Sequence, residues 1–222
     1  LTLDPEWHSY HDYLAALRSK FRIKAKRAYT KSSQLEMRRL DLSETAARQG
    51  ELWGLYEQVI ERCDYHTGSL SPQSFAKMQE ALPEQFALYA YFLGETMVGF
   101  RSSFTTESTL NAQTVGIDYA LNREHGIYSR ILYDYVREAI AARIPRINFG
   151  RTATEIKSCV GAELVPMVCF VRHTNRLMNA GIGMVAPRLA PISATTHSPF
   201  KLREARGALS TQMSRHRQLV TV

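Results

Sequence analysis

The sequence contains no apolar run of the roughly 18 residues that a membrane-spanning helix needs, and no cleavable signal sequence is visible in it. It has no low-complexity tract either, and 45% of its 222 residues are apolar. A chain of this size and composition can bury a core of its own. We therefore expect one domain with appended helices in a cytoplasmic protein, and peripheral attachment to a membrane stays open.

Cysteine is scarce, and the three cysteines, Cys63, Cys159 and Cys169, lie far apart. They show neither CxxC spacing nor a histidine at metal-ligand spacing, so we expect reduced thiols rather than disulfides, zinc ligands or nucleophiles. The sequence also shows no metal cluster, Walker loop or Ser-His-Asp arrangement. A function that depends on a bound metal is therefore not expected.

Acidic residues are absent from RSKFRIKAKR, residues 18–27, which carries six positive charges. The whole chain has a formal net charge of +7, so this stretch predicts an anionic partner. Nucleic acid such as tRNA, an anionic membrane and a phosphorylated cofactor all suit such a surface. The alternative interpretation is a solvated helix face without a partner.

Apolar residues at three- and four-residue spacing predict one long helix from Trp7 to about Tyr29. LEMRRLDL alternates as a strand does, Ser43 is the expected cap of the next helix, and the Ser-Pro pair at 71–72 is expected to begin a short helix. FALYAYFLGETMVGFRSSF reads as a hairpin whose first strand is buried on both faces.

A third strand, TVGIDY, contains Gly116, and an apolar stripe from Tyr128 to Ile140 predicts a long helix. Glycine inside a strand marks a bulge or a close approach of ligand or backbone, or it is tolerated for packing. RINFG, TATEIKSCV and LVPMVCFV then predict a strand, a short helix and a last strand.

This order predicts an α+β fold with a mixed sheet and a crossover. We divide the chain into a basic amphipathic helix at 1–34, a main domain at 35–175, and a basic, loosely packed or extended tail at 176–222.

The stretch NREHGIY, residues 122–128, lies between a predicted strand and a predicted helix. Backbone amides at such a helix N-terminus bind anions, Gly126 lets a phosphate approach closely, and Arg123 adds a charge. The alternative is an ordinary connecting loop whose glycine is needed for its backbone angles.

Three charged residues, Arg151, Glu155 and Lys157, follow the strand INFG. Thr152 is the expected cap of the next helix, which places Arg151 at the edge of the sheet where ligands bind in open α/β sheets. Arg151 and Glu155 are four apart and can pair, leaving donors of Arg151 for a carboxylate, a phosphate or an oxyanion. In the alternatives, Glu155 is the general base for an acceptor amine, or the charges form ordinary surface ion pairs.

The stretch Arg123-x-x-Gly126 before a helix resembles the pyrophosphate-binding turn of the GNAT superfamily of acyltransferases, Q/R-x-x-G-x-G/A, with Tyr128 departing at the last position. The resemblance extends to YLAALRSKFRIKAKRA, the hairpin, VGIDYALNREHGIYSRILYDYV, INFGRTATEIKSCVGA and CFVRHTN. Over roughly residues 8–175 these segments resemble GNAT-fold proteins related to the Fem peptidoglycan aminoacyltransferases. FGRTATEIKS is the most specific of them.

This resemblance implies a GNAT fold in which TVGIDY splays from RINFG and opens a slot for the pantetheine arm of an acyl donor. Asp118 and Tyr119 flank the slot and are the expected contacts of the acceptor. The implied donor contacts are Val115, Gly116 and Ile117 in the strand and Arg123, Gly126, Tyr128 and Ser129 at the turn.

Lys157 gains a role from the same resemblance. It lies four residues before Gly161, where many GNAT enzymes have a tyrosine that protonates the leaving thiolate and where Fem-type enzymes use a basic residue nearby. Lys157 is thus implied to stabilise the tetrahedral oxyanion or to donate a proton, with Glu155 and Arg151 as its catalytic partners.

We therefore expect an N-acyltransferase that moves an acyl group from acetyl-CoA, another acyl-CoA or acyl carrier protein to a small-molecule, peptide or lipid amine, without a metal. A second hypothesis is Fem-like aminoacyl transfer from tRNA, with residues 18–27 contacting the phosphates. A third is a non-catalytic GNAT-like module that binds nucleic acid or an anionic membrane.

Overall fold

In the part of the chain that the structure describes, a mixed five-stranded sheet forms the centre of the protein. The computed structural model describes residues 1–63, 70–165 and 195–201, together with residues 170, 172, 174, 175, 179 and 181. The strands lie in the order β1-β2-β3-β4-β5. The pairs β1-β2, β2-β3 and β3-β4 are antiparallel and the pair β4-β5 is parallel, which confirms the predicted α+β class. The strands are β1 (Leu35–Arg39), β2 (Phe86–Leu93), β3 (Thr96–Thr105), β4 (Leu110–Ile117) and β5 (Ile147–Asn148).

Helices cover both faces of this sheet. Among the described residues they are α1 (Tyr10–Ala16), α2 (Ser19–Lys31), α3 (Leu42–Ala47), α4 (Gln49–Ile60), α5 (Ser74–Ala81), α6 (Tyr119–His125), α7 (Ile127–Ala141) and α8 (Thr154–Cys159). In one layer α4 packs on β3 and β4, and α5 packs on β2. In the other, α7 packs on the sheet and α1 and α2 pack on α7. No helix in the described ranges is long and apolar enough to cross a membrane.

Alternating side chains of the strands divide the interior into two cores. In β2, Phe86, Leu88 and Phe92 point to the layer of α4 and α5, whereas Tyr91 packs toward α7. This alternation is the period of two expected for a strand buried on both faces. The hairpin of β2 and β3 is therefore confirmed as the buried centre of the sheet.

The single helix predicted from Trp7 to Tyr29 is wrong, because the chain is extended between α1 and α2. Leu17 has ψ 142° and Arg18 has ψ 149°. The amide of Arg18 donates to the carbonyl of Pro199 at 2.8 Å, and Leu17 forms a β-bridge with Phe200. A contact from residues 195–201 thus interrupts the helix, and the spacing of apolar residues cannot reveal such a distant partner.

The predicted cap at Ser43 is also wrong. Asp41 caps α3 instead, its carboxylate accepting from the amide of Glu44 at 2.8 Å while the Glu44 side chain accepts from the amide of Asp41 at 3.1 Å. This reciprocal arrangement satisfies two helix-end donors at once. The rest of the predicted helix is a separate element, α4, which begins at Gln49.

Gly116 is explained by packing rather than by a bulge. The register of β3 and β4 shifts between Ser102 and Ser103, whereas Gly116 lies in regular pairing opposite Phe100. A Cβ atom on Gly116 would lie 2.1 Å from the Phe100 ring. The ring therefore occupies the space that a side chain at position 116 would need.

The outer segments of the chain share the core of the main domain. Apolar residues of the predicted segment 1–34, including Tyr13, Phe21 and Ala25, are buried in the same cluster as α7. Residues 195–201 pack at the junction of α1 and α2. Cys63 and Cys159 are free thiols, as predicted. Cys169, most of the predicted last strand and most of the tail lie outside the described residues.

Asp134 on α7 joins three elements through buried hydrogen bonds. Its Oδ1 accepts from the Tyr29 hydroxyl of α2 at 2.9 Å. Its Oδ2 accepts from the Tyr91 hydroxyl of β2 at 2.9 Å and from Nε of Arg130 at 2.8 Å. Asp134 is 3% exposed, so in the folded protein these three donors replace the water that would otherwise hydrate its carboxylate.

Arg101 continues the network inside the sheet. Its guanidinium donates to the Tyr91 hydroxyl at 3.1 Å and forms an ion pair with Glu138 of α7. The Tyr89 and Tyr135 rings lie 4.2 and 4.6 Å from the guanidinium carbon. A buried arginine is thus paired, hydrogen-bonded and covered by aromatic faces, which are the conditions under which a buried charge is tolerated.

Replacing Asp134 with Ala leaves a guanidinium and two hydroxyls without their acceptor in a buried place. We expect Asp134→Ala to lower the free energy of unfolding by about 3–5 kcal/mol, measured by urea denaturation. The exposed cap variant Asp41→Ala is the control and should lose about 1 kcal/mol. Equal losses in the two variants would show that the network does not hold the layers together.

Candidate active site

β4 and β5 separate almost as soon as they meet. They pair only at Leu110 with Ile147 and at Asn111 with Asn148. The Asn148 side chain also donates to Oδ1 of Asn111 at 3.2 Å. β4 then continues to Ile117, and no other described strand pairs with it there except β3. Among the described residues, one edge of β4 is therefore open beyond Asn111, which is the divergence that the resemblance implied.

Val115 and Ile117 present their backbone groups to this open edge. The amide of Asp118 donates to Val98 of β3 at 2.9 Å, and backbone groups along a strand alternate in direction. Gly116 therefore faces β3 together with Asp118, while Val115 and Ile117 face away. Of the three predicted strand contacts, Val115 and Ile117 direct their backbone hydrogen-bonding groups toward the slot. Gly116 does not, and its missing side chain leaves space for the Phe100 ring.

The stretch NREHGIY is largely helical, so its prediction as a connection between a strand and a helix is wrong. Residues 119–125 form α6, and Oδ1 of Asp118 caps it by accepting from the amides of Ala120 at 2.8 Å and Leu121 at 3.1 Å. A helix of seven residues is too short to show a clear apolar period in the sequence. Asp118, predicted to contact the acceptor, thus has a structural partner for its carboxylate.

Gly126 joins α6 to α7 with φ 62° and ψ 34°, a left-handed conformation that favours glycine. The Asn122 side chain accepts from the amide of Tyr128 at 2.9 Å, so one amide of the first turn of α7 is already bonded. Arg123 is exposed in the last turn of α6, and its carbonyl accepts from Nζ of Lys31 at 2.9 Å. Lys31 is therefore a further cation at this turn, which the sequence analysis did not single out.

Two half-buried tyrosines, Tyr119 directly after β4 and Tyr128 at the start of α7, lie close to each other. Burial raises the pKa of Tyr128 to about 12, and the neighbouring Tyr119 adds to the shift. The Tyr119 ring lies 4.2 Å from the guanidinium carbon of Arg62. Ser129, in the same turn as Tyr128, is also half-buried. The structure thus brings together Tyr119, Tyr128 and Ser129, which the sequence analysis assigned to acceptor and donor.

The predicted pairing of Arg151 with Glu155 is wrong, because Arg151 does not belong to the helix. Ala153, not Thr152, precedes α8, and it has φ 54° in the left-handed region without a side-chain cap. Arg151 is exposed and has no hydrogen bond or ion pair with the described part of the chain. Its guanidinium is therefore available to a ligand.

Glu155 faces His197 instead. Its carboxylate lies 3.6 Å from Nε2 of His197, and the amide of His197 donates to Oγ of Ser158 at 2.9 Å. Residues 195–201 thereby cover one side of α8. No local sequence pattern predicts this contact, because its partners are about forty positions apart.

Lys157 is the buried member of the three charged residues. It is 9% exposed, and burial lowers the pKa of its ammonium group from 10.5 to about 8. Within the described residues its Nζ has no ion pair or hydrogen bond. An amine with this pKa gains or loses a proton near neutral pH, which suits proton transfer.

A cavity of about 570 Å³ lies between α2 and α8. Glu155 and Lys24 contribute opposite charges to its lining, and Nζ of Lys24 is 3.5 Å from Sγ of Cys159. No group of three or more His, Cys, Asp or Glu residues that could hold a metal occurs in the described ranges. The lining of this cavity offers an amine, a carboxylate and a thiol, those of Lys24, Glu155 and Cys159.

The sequence from residue 17 to residue 158 matches the family model described as an acetyltransferase (GNAT) domain. The matched part covers more than half of the 222 residues. The chain belongs to the GNAT acetyltransferase family. The finer relation to the Fem-type branch stays a prediction, and a search of curated sequences found no significant match.

Solved structures similar to this GNAT domain include the aminoglycoside acetyltransferase meta-AAC0020 from an uncultured soil metagenomic sample, in complex with trehalose. It is 14% identical, with 65% of this chain and 98% of that chain covered and a TM-score of 0.47.

The BH1408 tetramutant from Bacillus halodurans is 12% identical over 62% and 99% of the two chains, with a TM-score of 0.49. AAC(6')-Iy in complex with a bisubstrate analogue is 12% identical over 64% and 99%, with a TM-score of 0.45. These values are too low to say anything about substrates.

The lowered pKa of Lys157 predicts a pH-dependent effect on stability. Between about pH 8 and pH 10.5 the unfolded chain holds a proton that the folded chain has lost, so stability rises with pH in this window. Below it, the cost of the buried charge is fully present. We expect Lys157→Met to raise the free energy of unfolding by about 2 kcal/mol at neutral pH, with the gain shrinking as pH rises through this window.

Urea denaturation at several pH values measures this gain, and Lys77→Met, an exposed lysine of α5, is the control without an expected change. A Lys157→Met variant that is less stable than the parent throughout the pH range would contradict the assignment of Lys157 as a buried, unpaired amine.

Proposed function

We propose that this protein transfers an acyl group from acyl-CoA, with acetyl-CoA as the first candidate, to a primary amine. The observation that carries the proposal is the open edge of β4 beyond Asn111, in a chain of the GNAT family. An open strand edge offers unpaired amide and carbonyl groups to an extended ligand. The amide-rich pantetheine arm of coenzyme A has complementary groups.

The donor lies with its pantetheine arm along Val115 and Ile117, whose backbone groups face the slot. Its phosphates lie at the turn before α7, where Gly126, Tyr128 and Ser129 give the first helical turn and Arg123 supplies a positive charge. Lys31 reaches the same turn from α2 and adds a second cation. The helix N-terminus and the two cations together favour the negative charge of a diphosphate.

Transfer proceeds by attack of the neutral amine on the thioester carbon. A C–N bond forms, the C–S bond breaks, and the amine loses a proton as the thiolate gains one. Lys157 in its ammonium form stabilises the oxyanion and gives its proton to the thiolate, and Arg151 supplies further positive charge. The proton of the amine leaves to Glu155 or, where Glu155 remains paired with His197, to water.

The two other hypotheses predict different requirements for residues 18–27 and for Lys157. Fem-like transfer from aminoacyl-tRNA uses the same open strand edge but requires RNA phosphates on residues 18–27. A non-catalytic GNAT-like module requires those residues and is indifferent to Lys157. Acyl carrier protein in place of coenzyme A leaves the role of Lys157 unchanged, since both donors carry the acyl group on a pantetheine thiol.

Donor binding tests the open edge directly. Proline at position 115 removes an amide that faces the slot, and proline is tolerated where a strand amide has no strand partner. We expect Val115→Pro to weaken acetyl-CoA binding about tenfold, measured by calorimetric titration. Val115→Ala, which shortens the side chain and keeps the amide, is the matched control. If Val115→Pro binds acetyl-CoA as tightly as the parent protein, the backbone of β4 is not part of the donor site.

Turnover tests Lys157. We expect Lys157→Met to lower kcat for acetyl transfer to a panel of primary amines by about 100-fold or more, with donor affinity retained. Because the ammonium form is the proton donor, the contribution of Lys157 to the parent rate should decline as pH rises through its pKa of about 8. Release of free thiol measures the rate, with Lys77→Met as the control. A Lys157→Met enzyme within about threefold of the parent rate would end this assignment.

A further inference from the structure

The outer face of α2 carries positive charge, and α2 itself contains no acidic residue. We define this outer face as Lys20, Ile23, Lys26 and Arg27, all of them exposed. Arg18, Lys24 and Lys31 flank it and are also exposed. None of these cations forms an ion pair with a described carboxylate. A helix of 13 residues, about 20 Å long, thus presents a row of unneutralised charge.

The arrangement costs the isolated helix stability. Lys20 and Lys24 are four residues apart, as are Arg27 and Lys31, and like charges at this spacing repel each other. A helix face that serves only solvation gains from mixing acids with bases, and α2 contains no acid. The repulsion is relieved when an anionic surface lies against the helix.

Ile23 occupies the middle of the outer face. Phe21, Ala25 and Ala28 are buried and hold the inner side of α2 on the core. At 3.6 residues per turn, Ile23 points away from those three, and it is 63% exposed. Cations lie three residues before Ile23 and three and four residues after it in the helix. Ile23 is therefore an exposed apolar side chain inside a basic patch.

Ile23 distinguishes between anionic partners. A phosphate backbone gains nothing from an exposed aliphatic side chain, and single-stranded nucleic acid is bound by exposed aromatic rings. The two aromatic residues of α2, Phe21 and Tyr29, are buried and half-buried and make contacts inside the protein. A lipid bilayer with anionic headgroups offers negative charge to the cations and an acyl boundary to Ile23.

We propose that the outer face of α2 docks this protein on an anionic membrane surface. The cations lie at the headgroups, Ile23 enters the boundary between headgroups and acyl chains, and the inner side of α2 remains on the core. Lys24 also lines the cavity beside α8, so this docking brings the candidate active site close to the lipid surface. The proposal does not depend on acyl transfer, because binding to lipid can be measured without turnover.

Sedimentation with vesicles tests the proposal. We expect the full chain to bind vesicles of phosphatidylcholine with one third phosphatidylglycerol, and not vesicles of phosphatidylcholine alone. The triple variant Lys20→Ala, Lys26→Ala, Arg27→Ala should bind the anionic vesicles about 100-fold more weakly, and high salt should have the same direction of effect. The control removes three cations of the opposite layer and should retain binding: Arg38 and Arg48, which stack on Phe92, and Lys77 of α5.

Two further measurements separate lipid from other partners. Ile23→Ser should weaken binding to the anionic vesicles about tenfold at unchanged net charge, because only the apolar contact is lost. Ile23→Trp should bind, and its fluorescence should shift to the blue when anionic vesicles are added.

Three outcomes would overturn the proposal. They are equal binding by the triple variant and its charge-matched control, no effect of Ile23→Ser, and tighter binding to an oligouridylate than to the anionic vesicles. Thermal unfolding of each variant establishes that it is folded, and the Ile23 variants keep the test valid if the triple variant is not.

Discussion

The carboxylate of Asp134 is the point on which the layers of this protein depend. It accepts hydrogen bonds from Tyr29 of α2, Tyr91 of β2 and Arg130 of its own helix, so one buried group fixes the position of α7 against both a neighbouring helix and the sheet. Apolar packing tolerates small displacements between layers, whereas a carboxylate with three directed donors does not. Arg101 extends the same constraint to β3 through Tyr91. The first turn of α7, where the donor phosphates are proposed to lie, is thereby held at a fixed place relative to β4.

The divergence of β4 and β5 also depends on the position of α7. A two-residue parallel pair is too short to stabilise a strand by itself, so β5 is held by its surroundings. Phe149, next to β5, contacts the ring of Tyr135 on α7, with ring centres 6.2 Å apart. Tyr135 also donates from its hydroxyl to the carbonyl of Ser102 in β3 at 2.8 Å. Tyr135 therefore contacts both β3 and the residue that follows β5. These contacts hold β5 in its position apart from the rest of β4.

Local periodicity explains which parts of this fold could be read from the sequence. The stripe on α7 and the alternation in β2 predict their elements because each pattern repeats often enough to exceed chance. The break at Leu17 and the position of His197 on α8 could not be predicted, since both depend on residues 195–201 meeting distant parts of the chain. For the site, the resemblance indicated Lys157 and the open edge of β4. It did not indicate that Gly116 faces β3, because the direction of backbone groups depends on the register of the strands.

Three sets of cations in the described part of the chain, namely Arg101, Lys157 and the cations of α2, differ in environment, and the differences carry information about function. Arg101 is buried and fully paired, and its environment accounts for it without any ligand. Lys157 is buried and unpaired among the described residues, a condition that lowers stability and that packing alone does not explain. The cations of α2 are exposed and repel one another on a helix that the core holds firmly in place. The contacts of Arg101 stabilise its charge without any partner. Lys157 and the cations of α2 lower the stability of the fold, which indicates a stabilising interaction with something outside it. We propose that this interaction is with the charge that develops on a reacting thioester in the case of Lys157, and with an anionic surface in the case of α2.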